Sequence, residues 1–215
     1  MKWTIAILLS AMVAVLVSQS VEAARIDPFG DTTVRGSTNK NASSPFGLFV
    51  KNSSDVSYLE FNLGGTAVPG AKLVLHNDDA GVSALWDVVV NAEEFTFDEA
   101  SFNDSGLGTS WANVGTIPGV MAIDFYELDI TDWYNANLGK TMSMYLTRVN
   151  QPSGSGPIFE DREGTKTGDA LTFGPRLEVT SGGGVVGDVN GDTLVNLDDL
   201  TIIRGNFFNT GVVLA

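Results

Sequence analysis

Asp188, Asn190, Asp192, Asn196 and Asp199 place oxygen side chains at positions 1, 3, 5, 9 and 12 of the run Asp188-Val189-Asn190-Gly191-Asp192-Thr193-Leu194-Val195-Asn196-Leu197-Asp198-Asp199. Calcium takes about six to eight hard oxygen ligands, and a tight loop delivers that many from one short segment only at such spacing. The pattern predicts a calcium site with these five residues as side-chain ligands. Thr193 stands at position 6, where a glycine ordinarily allows the positive φ of the turn, so it strains the loop or weakens the site. The plainer alternative is an Asp/Asn-rich turn that binds nothing.

Such a loop has to be held by neighbouring elements. After it, Asp199 to Phe207 suggests a short helix with Leu200, Ile203 and Phe207 on one side. Before it, Ser181-Gly182-Gly183-Gly184 opens a flexible linker over 181–187. From Arg25 to Thr180 the pattern changes to short strands separated by Gly, Pro, Asn, Asp and Ser. Val56 to Leu63 alternates, with Leu59, Phe61 and Leu63 opposing Tyr58, Glu60 and Asn62. Lys72 to His76, Trp86 to Val90, Met142 to Thr147 and Pro175 to Thr180 read as strands too, and Ile130 to Leu138 as one or two helical turns. Many short strands between turns predict an all-β fold, an antiparallel, jelly-roll-like β-sandwich over 24–180 with a short C-terminal calcium loop–helix segment at 188–215.

Composition narrows the chemistry. Residues 1–23 read as a signal peptide: Lys2, the apolar run Ile5 to Val17, then Val21-Glu22-Ala23 with small residues at the −3 and −1 positions. The apolar run is short against the ~20 residues of a membrane span. Its removal leaves about 190 residues, enough for one mid-sized domain and an appendage. The expected location is extracellular, with no membrane span after cleavage. The chain has no cysteine and one histidine, His76, so thiolate and multi-histidine metal sites are excluded. A formal net charge of −14 argues against nucleic acid, which needs a basic face.

Several landmarks recur in a fixed order: Asp31-Thr32-Thr33-Val34-Arg35-Gly36, Phe46-Gly47 through Val50-Lys51-Asn52, Tyr58 to Leu63, Ala71 to Leu75, Phe97 to Asn103, Leu128-Asp129-Ile130-Thr131-Asp132, Phe159 to Glu163 and Pro175-Arg176-Leu177. In this order they resemble the DNRLRE-type β-sandwich, the group that includes carbohydrate-binding module family 96. The resemblance implies a non-catalytic exported module, in a group whose members resemble binders of alginate and other uronic-acid polymers. Phe97 and Phe102 stand where that group carries tryptophans, and the chain is strongly acidic. The 188–199 loop resembles one half of a type I dockerin, which implies calcium as cofactor and a cohesin-like protein as partner. A dockerin normally carries two such loops, and this sequence shows one.

Sugar binding by a sandwich calls for an aromatic platform and a few polar groups. Trp86, Trp111, Tyr126, Trp133 and Tyr145 are the candidate platforms, each with core packing as the alternative. Trp111 stands out because it follows the Gly/Ser-rich stretch Gly106 to Ser110. Arg35, Lys51 and Arg162 are the candidate cations for an acidic sugar, since guanidinium binds carboxylate in a forked pair. Arg162 pairing with Glu160 or Glu163 is the structural alternative. Asp27, Asp31 and the Asp161 region offer oxygens for a second calcium. For catalysis, Glu93-Glu94, Asp98-Glu99 and Glu160/Asp161/Glu163 are the acid groups, but neighbours on a strand point to opposite faces, and no nucleophile elbow accompanies His76. The expected function is carbohydrate binding without catalysis, with a structural surface or matrix protein lacking sugar affinity as the alternative.

Overall fold

A computed structural model of the chain describes residues 23–35, 38–39, 47–50, 55–79, 82, 84–102, 111–148, 156–180, 197, 200 and 201. Residues 1–22 of the leader, Lys51, the linker and the five expected calcium ligands Asp188, Asn190, Asp192, Asn196 and Asp199 lie outside the described residues, while Ala23, the last residue of the expected leader, opens the first strand. Within the tail, Leu197, Leu200 and Thr201 are helical. The Thr201 hydroxyl donates to the Leu197 carbonyl at 2.7 Å, and both leucines are exposed.

The fold is all-β and antiparallel. The strands are β1 (Ala23–Ile26), β2 (Gly30–Arg35), β3 (Thr38–Asn39), β4 (Leu48–Phe49), β5 (Asp55–Asn62), β6 (Gly70–Asn77), β7 (Trp86–Glu93), β8 (Ala112–Val120), β9 (Asp124–Asp129), β10 (Thr141–Arg148), β11 (Ile158–Phe159) and β12 (Arg176–Thr180). Two short helices, α1 (Thr131–Ala136) and α2 (Ala170–Phe173), interrupt them. One sheet runs β3-β2-β5-β10-β7-β8. The other runs β1-β12-β6-β11-β4, with β9 also paired to β6.

Alternation decides which residues meet between the sheets. Leu59 and Phe61 of β5, Met142, Met144 and Leu146 of β10, and Val88, Val90 and Ala92 of β7 come from one sheet. Ala71, Leu73 and Leu75 of β6 and Leu177 and Val179 of β12 come from the other, all buried in one cluster. Each large apolar side chain so enclosed contributes about 1.5–3 kcal/mol, and these are the residues whose alternation is visible in the sequence.

Two features were not legible in advance. β8 carries Gly115 and Pro118, which read as turn signals; it is nonetheless a strand at the sheet edge, where Pro is tolerated. A Cβ on Gly115 would lie 2.8 Å from Leu128, so glycine is what lets β8 approach β9. Gly47, just before β4, has φ +78°, and a Cβ there would sit 2.4 Å from the Phe159 carbonyl oxygen. It therefore answers both a left-handed backbone and a close approach.

The outer face of the β2-β5-β10 region is also apolar. Val34, Val56 and Tyr58 form a second buried cluster there, covered by Phe97, Phe102, Trp111 and Tyr145. Tyr58 packs edge-on to Phe102 with ring centroids 4.8 Å apart, and Trp111 lies 5.7 Å from Tyr145 and 6.2 Å from Tyr58. The connection after β7 thus folds back over the sheet as a ring-bearing cover.

Helix α1 falls within the expected Ile130–Leu138 window and is pinned to the start of β6. The Ile130 amide donates to the Ala71 carbonyl and the Ala71 amide to Thr131 Oγ1, both at 2.9 Å. Asn135 makes two 2.9 Å bonds to the Val68 backbone, and the Tyr134 hydroxyl accepts from Gly64.

Candidate functional site

Arg162 is a hub at the N-terminal end of β2. Its backbone amide donates to Asp31 Oδ2 at 2.7 Å, Nη1 donates to the Phe29 carbonyl at 3.0 Å, and Nη2 donates to Glu99 Oε2 at 3.0 Å. Nε lies 2.7 Å from Glu163 Oε1 but makes no aligned hydrogen bond. Three connections therefore meet here: the start of β2, the cover after β7 and the turn after β11.

Around that guanidinium, carboxylate oxygens of Asp31, Glu99 and Glu163 come within 4.8 Å of one another. These are the described residues whose geometry could hold a cation. Burial pushes the Asp31 carboxyl up to about 8; the Arg162 amide opposes this, and the carboxylates of Glu163, Asp161 and Glu99 add to it. Burial raises Glu163 as well, against Arg162 and with Glu99 and Asp161. At neutral pH Asp31 is thus a buried acid holding its proton, and Arg162 is the positive charge facing the other two carboxylates. The sequence named Asp27, Asp31 and the Asp161 region for a cation; Asp31 and, from the Asp161 region, Glu163 join this group, while Asp27 and Asp161 itself do not. Asp27 pairs with Arg25, and Asp161 accepts from the Thr165 amide at 2.8 Å. Glu163 was already a candidate partner of Arg162, whereas Glu99 was visible only as one of an acid pair, because its convergence on Asp31 is purely tertiary.

The expected sugar-contact residues do not form one patch. Arg35 closes the far end of β2 and makes a forked pair with buried Asp55, at 2.7 and 2.9 Å, while its guanidinium lies 5.8 Å from the Phe49 ring centroid. Four steps along the extended strand, about 13 Å, separate it from Asp31 and the Arg162 hub. Trp111 packs in the ring cover rather than standing free, because Tyr58, Val34 and Val56 on the outer face need covering. Trp86 is fully buried and Tyr145 belongs to the ring cluster. The Tyr126 hydroxyl accepts from the Met121 and Ala122 amides at 3.0 Å. Lys51 lies outside the described residues.

Trp133 differs from these. It is half-buried against the core and, with Val114, Asp129, Ile130, Thr131 and Asp132, lines a depression of about 250 Å³. A second depression of about 280 Å³, lined among others by Gly70, Lys72, Glu178 and Thr180, shares Asp129 and Thr131 with the first. Asp129 Oδ1 accepts from the Thr131 amide and hydroxyl at 2.9 and 2.7 Å, which holds its carboxyl below the usual value. The sequence marked Trp133 as a candidate platform with Asp132 next to it in the chain; that Asp129 lines the same depression is shown by the fold.

His76 is buried between two rings, with centroids 4.7 Å from Phe125 and 4.5 Å from Phe173. Its Nδ1 lies 3.0 Å from Asp78 Oδ1, and Asp78 in turn meets Glu160. Burial and then Glu160 raise Asp78 to about 7. Burial works against ionisation of Glu160 too, but amides of Lys166 and Thr167, both at 2.8 Å, prevail and lower it. Burial lowers His76. His76, Asp78 and Glu160 form a chain of close contacts in which His76 Nδ1 and Asp78 Oδ2 make no aligned hydrogen bond, and Glu160, held by the two amides, is the group favoured to carry the charge. This chain fastens the β6–β11 junction to the turn that follows it.

No helix among the described residues is long and apolar enough to cross a membrane. No protein-family model matches the chain, and no curated protein matches it either.

Proposed function

We propose that this chain is an exported, non-catalytic carbohydrate-binding protein whose C-terminal calcium segment attaches it to a partner. The observation that carries the reading is the coincidence of landmarks and elements. The ordered motifs that resemble the DNRLRE-type sandwich fall on β2, β5, β6, the end of β9, β11 and β12, and the ring-bearing 97–102 segment covers the sheet. Asp188, Asn190, Asp192, Asn196 and Asp199 are the proposed calcium ligands, on their spacing, and a cohesin-like protein is the proposed partner of that segment. Catalysis is not part of the reading, because the carboxylates that converge around Asp31 and around Glu160 are held by Arg162 and by backbone amides.

A second reading, a structural surface module without sugar affinity, is favoured by one specific fact: Arg35, Arg162 and Trp111 are all engaged in intramolecular contacts. Affinity-gel retention of the full chain on neutral and uronic-acid polysaccharides, with calcium and with chelator, separates the two. Retention on one glycan class supports the binding module. Passage through every gel with calcium binding intact supports the structural module.

A further inference from the structure

Among the described aromatic candidates, Trp133 alone joins an indole to carboxylates in an open depression. Its platform is rigid, since α1 is fixed to Gly64, Val68 and Ala71 by the bonds given above. The polar groups around it retain capacity for a ligand. Asp129 accepts both Thr131 bonds at Oδ1, Lys72 favours its charge, and its Oδ2 accepts no hydrogen bond among the described residues. Asp132 is exposed and makes no hydrogen bond or ion pair among the described residues. A sugar ring presents an apolar C–H face and an edge of hydroxyl donors, and an indole beside acceptor-only carboxylates complements both.

Shape and charge then limit the ligand. Each depression is slightly below the ~300 Å³ at which a pocket begins to enclose a drug-sized molecule. Joined at Asp129 and Thr131, they suit consecutive rings of a chain. Their walls carry Asp129, Asp132 and Glu178 against Lys72, and Lys72 is already bridged to Glu127 at 2.5 Å. A polymer of uronic acids would bring anions to an anionic wall, whereas a neutral one brings only hydroxyl donors.

We propose that the groove beside α1 is the glycan site and that it takes a neutral polysaccharide, with one ring stacked on Trp133 and hydroxyls bound by Asp132 and Asp129. This rests on the carbohydrate-binding reading and departs from the uronic-acid preference that the family resemblance implies.

The test is calorimetric titration of the full chain with neutral β-glucan oligosaccharides and with oligouronates, on wild type, Trp133→Leu and Asp132→Asn. Trp133→Leu is expected to weaken neutral-glucan binding about tenfold or more. Because Trp133 also touches the core, Asp132→Asn serves as the variant that leaves folding intact. It is expected to weaken binding about fivefold with an unchanged melting temperature. Wild-type binding that both variants retain in full, or a wild-type preference for oligouronates, overturns this site while the carbohydrate-binding reading stands. Wild type that binds neither class overturns both.

Discussion

Asp31→Asn should reshape how stability depends on pH. Asp31 is fully buried, and its carboxyl rises from 3.8 to about 8 on folding. Between those values the folded chain holds a proton that the unfolded chain has released. The slope of stability with pH is therefore negative across that window. The contribution is fully present below 3.8 and is lost as pH rises through 8. At ~1.4 kcal/mol for each pKa unit, the whole loss is about 6 kcal/mol, a large part of the ~5–15 kcal/mol that holds a domain folded. Asparagine has no proton to lose. Its carbonyl can still accept from the Arg162 amide, and its amide can donate toward Glu99 or Glu163, whose oxygens are within 4.8 Å. Melting curves from pH 4.5 to 9, with chelator, are the assay. Wild type and variant should be alike near pH 4, and the variant's advantage should grow steadily up to about pH 8 and level off beyond it. Parallel profiles would refute the argument that a buried neutral carboxyl sits at this position.

Other perturbations probe separate parts of the molecule. Trp111→Ala should lower stability by about 2 kcal/mol, since it opens the ring cover over Tyr58, and should leave glycan affinity of the folded protein unchanged; chemical denaturation and calorimetry read the two effects. Glu160→Ala removes the acceptor of the Lys166 and Thr167 amides and should cost about 3 kcal/mol, measured by urea unfolding, with Glu160→Gln losing less. Thr193→Gly should tighten calcium about fivefold by relieving ~1 kcal/mol of backbone strain, whereas Asp188→Ala should abolish binding, both followed by calcium titration.

The sandwich was readable because its strands bury one face. Leu59 and Phe61, Met142 and Met144, and Leu177 and Val179 alternate with residues that face away from the core, and each run became a strand. β8 hid behind Gly115 and Pro118, and α2 is a single turn whose place depends on the ring of His76. The expected exposure of Trp111 came from the glycine and serine before it. What that local composition could not express is the need of Tyr58, on the nominally polar side of β5, for a cover. The hub of Asp31, Glu99 and Glu163 unites residues far apart in sequence, and no local period encodes such a meeting. The calcium spacing is a different kind of signal, a local pattern read without any fold, and its residues lie outside the described ones.

The register of β12 also decides how the sandwich carries mechanical load. Four register pairs join it to β1 and five join it to β6, so it is clamped on both sides where the chain leaves at Thr180. A pull along the tail, parallel to the strand, loads all of these bonds in parallel rather than peeling them in succession. Lys72 and Glu178, on the wall of the groove, face each other across that same ladder. Tension between the proposed groove and the tail would pass from α1 and β9 through β6 into this ladder.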